Sequence, residues 1–167
     1  MRPLIGLFVV VGAGVGVGAC GGDGDDGGPG GDAAVTPDQT AHQVCVTETN
    51  KYRATTGKPA VQQSAQLEAY ADVGAMHDFS TAPHDHFSTT SGGGIAFAEN
   101  ECPQQSNWNL SFGNGDVAMT VVACVKAFFD EGPGGGHYEN MMGNYGSLGC
   151  GIYVQGQQLT IVQDYGR

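Results

Sequence analysis

Regular patterning in this chain is of two kinds, and their order limits the fold. Near the C-terminal end, Leu148 to Val154 and Gln158 to Asp164 read as two strands joined by Gln155-Gly156-Gln157, a glycine-centred hairpin signal. The long patterned segments before them have helical spacing. Thr36-Pro37-Asp38-Gln39 reads as a helix start, with a capping threonine, proline at the first helical position and a glutamine closing the box. That helix is predicted to run to about Thr56 and to stop at Gly57, ahead of Lys58-Pro59. Ser64 caps a second helix, with Leu67, Tyr70, Ala71 and Gly74 on its buried face. Asp116 caps a third, Val117 to Phe129, whose apolar stripe is Val117, Val121, Cys124, Val125 and Phe128. Between them, Ser91 to Gly94 reads as a turn into a short strand, Ile95 to Ala98. Cys102 to Gly115 reads as irregular, with Trp108 and Phe112 folded onto the core. Helices first and a late antiparallel hairpin imply an α+β fold.

The first residues do not belong to that fold. Met1-Arg2-Pro3 is a weakly positive start, and Leu4 to Ala19 carries no charge. The run is too short for a comfortable membrane span and fits the apolar region of an export signal. Val17-Gly18-Ala19-Cys20 resembles a bacterial lipobox, which implies a signal peptide over 1–19 and acylation of Cys20 as the mature N-terminus, anchored in the lipid bilayer. The plainer alternative is a secretory signal with a cysteine near its cleavage site. Gly21 to Asp32 reads GGDGDDGGPGGD; with no residue able to anchor a core it is a flexible tether. The organisation is thus an export segment, a tether over 20–35, and one folded domain over 36–167.

Of five cysteines, setting Cys20 aside leaves Cys45, Cys102, Cys124 and Cys150, an even set suited to two disulfides in an oxidising compartment. Three pairings are open, and Cys45 with Cys124 is preferred because both lie on predicted helices. The chain has 17 acidic and 6 basic residues and a net charge of −11. With no basic stripe to meet phosphates, nucleic-acid binding is disfavoured. The sequence has no His-Glu-x-x-His pair, and Gly92-Gly93-Gly94 is not followed by the Lys-Ser/Thr of a phosphate loop.

Four segments carry a further signal in their order: Ala98-Glu99-Asn100, Phe128 to Glu131, Gly136-His137-Tyr138, and Leu148-Gly149-Cys150-Gly151-Ile152-Tyr153. They resemble the CAP (SCP-like) domain, the family named for cysteine-rich secretory proteins, antigen 5 and pathogenesis-related proteins. Its motifs are a Gly-Glu-Asn-Leu box, Trp-x-x-Glu, Gly-His-Tyr and a Gly-Cys-Gly-like strand. Here Ala98 replaces the first glycine, Glu101 the leucine and Phe128 the tryptophan. The resemblance covers about Ala41 to Gly166 and implies a three-layer α-β-α sandwich with a small antiparallel sheet.

The resemblance also implies a cavity with two histidines and two acids. By position these are Glu99, Glu131, His137 and, as first histidine, His86, with His84 as the alternative. Such a set can hold a divalent cation, zinc being most compatible and magnesium or calcium open. It can equally hold itself together through imidazole–carboxylate bonds. His42 and His77 read as surface or helix-end histidines. The expected function is an exported, outer-membrane or cell-surface interaction module, monomeric, with an extracellular ligand that the sequence does not name; a secreted soluble form is the alternative. A metal-assisted hydrolase and a lipid- or sterol-binding protein are the alternative activities.

Overall fold

The computed structural model describes residues 37–102, 108–109 and 113–167. The export segment, Cys20, the tether, the Thr36 cap and Phe112 lie outside the described residues. Helix α1 (Pro37–Thr55) is followed by β1 (Gln62–Gln63), α2 (Ala65–Asp78) and the short α3 (Asp85–Thr90). Then come β2 (Ala98–Cys102), β3 (Trp108–Asn109), α4 (Val117–Asp130) and the short α5 (Gly136–Met141). The chain closes with β4 (Ser147–Gln155) and β5 (Gln158–Gly166). Ser64 and Asp116 cap their helices as the sequence predicts, each accepting a backbone N–H with its side chain.

The sheet runs β1-β4-β5-β2, with β3 also pairing β5. All pairings are antiparallel except β1 with β4. β5 is central, and its side chains are buried from Leu159 to Gly166. Alternation along it divides the interior into two layers. Leu159, Ile161 and Tyr165 join the larger core with Cys45 and Val46 of α1 and Val121, Val125 and Phe128 of α4. Val162 faces the opposite way, onto Ala71 and Ala75 of α2. This is the α-β-α sandwich.

The Gly-Cys-Gly run is explained by the same alternation. Cys150 faces α1 and is bonded to Cys45. Gly149 and Gly151 face α2, whose backbone lies directly on them. A Cβ on Gly149 would stand 2.2 Å from Glu68 N, and one on Gly151 would stand 2.0 Å from the Ala71 carbonyl. No side chain fits there, so the helix seats on bare strand.

Two expectations are corrected. The preferred Cys45–Cys124 bridge does not form; the disulfides are Cys45–Cys150 and Cys102–Cys124. Both helical cysteines point into the sheet and not at each other, so each finds a strand partner. The strand expected over Ile95 to Ala98 instead begins at Ala98 and runs through the buried Glu99, Asn100 and Glu101. Its polar composition hid it from an apolar-alternation reading.

Candidate functional site

The site surrounds β2, the strand at the end of the sheet, and is assembled from four elements. β2 supplies Glu99. Glu131 caps the C-terminus of α4, where Gly132, at φ +69°, turns the chain. Its side chain folds back over Gly135, where a Cβ would stand 2.5 Å from Glu131 Cβ. There, Oε2 accepts the His137 backbone N–H at 3.0 Å, and Oε1 lies 2.5 Å from His137 Nδ1. One carboxylate therefore starts α5 and orients its histidine. The His137 ring rests on Phe128 with centroids 4.6 Å apart. On the other side, His84 precedes α3 with a left-handed backbone (φ 62°). Its Nδ1 lies 2.8 Å from Glu99 Oε1, and its N–H donates to Glu101 Oε2 at 2.6 Å. The two histidine rings stand 6.5 Å apart, centroid to centroid.

Glu99, Glu131 and His137 thus come together, and the histidine that completes the set is His84. The placement of His86 is corrected. Its ring lies against Tyr70, at 4.6 Å, and near His77, at 5.9 Å, while its N–H donates to Asp78 Oδ1 at 2.8 Å. His84, on a left-handed backbone ahead of α3, and His86, within it, thus serve different neighbourhoods. Glu101 is the member that sequence reasoning missed. Its signal was its position two residues after Glu99, which in a strand places it on the same face.

That face carries an unusual load of buried acid. Glu99 pairs in register with Asp164, and Glu101, Asp164 and Asp78 are fully buried. Among the described residues, Glu101 Oε1 and Asp78 Oδ2 have no hydrogen-bond partner. Burial raises all four carboxyls, that of Glu101 to about 7. Asp164 is pushed up to about 9 by burial and by the facing Glu99. Two facing buried carboxyls disfavour double ionisation, which favours a shared proton across the register. Among the described residues the ion-pair partner of Glu99 is His84. The hydrogen bond to Glu99 holds the His84 imidazole above its ordinary value.

The donor set suits a metal. Each ring meets a carboxylate oxygen through Nδ1, and the neutral tautomer with its proton on Nδ1 places the lone pair on Nε2. A histidine oriented by a carboxylate through one nitrogen and free at the other is the usual arrangement behind a metal ligand. One atom from each of His84, Glu99 and Glu101 falls within 4.8 Å of the others. Beside the pair lies a cavity of about 130 Å³, lined by Glu101, Glu131 and His137 and, on its apolar side, by Trp108, Ala127 and Phe128.

The model of the family described as "CAP: Cysteine-rich secretory protein family" matches residues 46–165. No curated protein matches the sequence. Among solved structures, the chain is similar to NaASP2 with Zn2+, at 18% identity and a TM-score of 0.57, over 81% of this chain and 82% of that one. It is also similar to Na-ASP-1, at 14% identity and a TM-score of 0.56, over 76% of this chain and 38% of that one. An extracellular SCP-domain protein from Bacillus anthracis matches at 19% identity and a TM-score of 0.51, over 81% of this chain and 45% of its own. At these identities the likeness is one of fold, and this chain spans less than half of the latter two.

Proposed function

From the premise that the chain belongs to the cysteine-rich secretory protein family, we propose that it is an exported binding module, tethered to the cell envelope through Cys20. Its cavity of His84, Glu99, Glu131 and His137 takes up a divalent cation. One observation carries the reading: two imidazoles, each bonded at Nδ1 to its own carboxylate, stand 6.5 Å apart, centroid to centroid. Zinc–nitrogen bonds are about 2 Å long, so an approach of the rings by about 1 Å brings both within reach of one ion. Bound there, the ion supplies fixed positive charge beside buried carboxylates and a Lewis acid toward a ligand in the adjoining cavity. The zinc in the NaASP2 structure supports the choice of metal.

The competing reading is that the two imidazole–carboxylate pairs satisfy each other and serve as braces only. Thermal melts with zinc, and with chelator, separate the two. Uptake by the native state alone raises the melting temperature, and His84→Asn or His137→Gln should remove the increment. Asparagine is chosen at position 84 because it tolerates the left-handed backbone there. A wild-type melt indifferent to zinc would leave the bracing reading standing. Turnover of a peptide or ester lost in the same variants would move the assignment to a hydrolase.

A further inference from the structure

A second group of ionisable side chains lies where α2 turns into α3, and the cavity pairs do not use it. The corner sets two adjacent residues at the end of α2, His77 and Asp78, against two at the start of α3, Asp85 and His86. His77 Nε2 lies 2.7 Å from Asp85 Oδ2. Asp78 forms the floor of the group. It is fully buried; its Oδ1 accepts the His86 N–H at 2.8 Å, and its Oδ2 has no partner among the described residues. His86 Nδ1, alongside, is likewise buried without a partner among them. The outer wall is open, because the His77 and Asp85 side chains are 41% and 38% exposed. One donor atom from each of His77, Asp78 and Asp85 lies within 4.8 Å of the other two.

We propose that His77, Asp78 and Asp85 form a second divalent-cation seat, separate from the cavity of His84 and His137. One imidazole and two carboxylates, with solvent on the open side, are the ligand types and number of an open zinc site. A metal gives the Asp78 oxygen the partner that none of the described residues supplies; buried polar atoms are normally satisfied. The exposed outer pair gives the ion its entry path. His86 then acts as a backing group, holding Asp78 through its backbone N–H.

Equilibrium dialysis of the full chain against zinc tests this. The wild type should bind two ions. His84→Asn should bind one, and so should His77→Ala and Asp78→Asn, with the second affinity lowered about tenfold or more. Asp78→Asn keeps the acceptor for the His86 N–H, and His77 is at the surface, so both variants should fold. An adventitious ion on a surface histidine would ignore Asp78→Asn, and that result overturns the proposal. So does a single wild-type ion abolished by His84→Asn, which leaves the cavity reading intact. One wild-type ion that survives His84→Asn but is lost in His77→Ala and Asp78→Asn supports the second seat and removes the cavity as a cation site.

Discussion

Glu101→Gln should stabilise the protein at neutral and alkaline pH. Glu101 is fully buried, accepts the His84 N–H through Oε2 and leaves Oε1 unpartnered. Burial, chiefly, lifts its carboxyl from 4.5 to about 7. A carboxyl whose folded value exceeds its unfolded value stabilises the fold below the unfolded value, and that stability is lost as pH rises through the folded one. At about 1.4 kcal/mol per pH unit, the loss between 4.5 and about 7 is on the order of 3 kcal/mol. Glutamine is neutral throughout, has the same length and retains an acceptor for His84. The variant should match the wild type near pH 4.5, gain on it up to pH 7, and hold a constant advantage above. For a domain of this size the gap corresponds to roughly 10 °C in Tm. Asp164 and His84 are raised as well and lose stability in the same direction, so the variant keeps a shallower alkaline decline. Thermal melts from pH 4.5 to 9 in chelator measure this. A variant that melts below the wild type at pH 8, or in parallel with it at every pH, refutes the account of a buried, unpaired acid.

Three other outcomes are expected. Gly151→Ala should destabilise by about 3 kcal/mol or more, because its Cβ meets the α2 backbone and not a movable side chain; urea unfolding reads this directly. Removing Cys45–Cys150, with a sequence separation of 105, should cost about 5 kcal/mol in the chain-entropy account, against about 3 kcal/mol for Cys102–Cys124, with a separation of 22. Paired serine variants giving the reverse order would contradict it. The native N-terminal peptide should begin at a lipid-modified Cys20, and mass spectrometry showing an unmodified peptide that starts elsewhere would reject the tether.

The elements legible in the sequence were those whose cause is local. α1, α2, α4 and the β4–β5 hairpin each carry their own period, cap or turn, and the structure places them within a few residues of expectation. The short helices α3 and α5 carry none of these. Their first N–H groups are satisfied from outside, His86 by Asp78 and His137 by Glu131. A six-residue helix held by a carboxylate outside it has no cap or period of its own, and glycine-rich or proline-broken sequence does not announce it. β2 was misplaced for a related reason. It is buried throughout, yet its centre is Glu99-Asn100-Glu101, which only a partner layer of histidines and amides makes tolerable.

The same division runs through the site. Glu131 and His137 were readable through their motifs, Phe128 to Glu131 and Gly136-His137-Tyr138, and the structure joins them across a short glycine-rich turn. Glu99 and the first histidine meet only through the fold, so the sequence pointed to His86, with His84 as the alternative. What separates them is the corner between α2 and α3. Asp78 captures the His86 backbone N–H, which fixes the start of α3 and turns the His86 ring toward Tyr70. That leaves His84, held by Glu101 from below, as the residue that reaches Glu99. The acid that replaces an aliphatic residue at position 101 thus has a definite role. It fixes the backbone of the cavity histidine, at the expense of a buried carboxyl that ionises only near neutral pH.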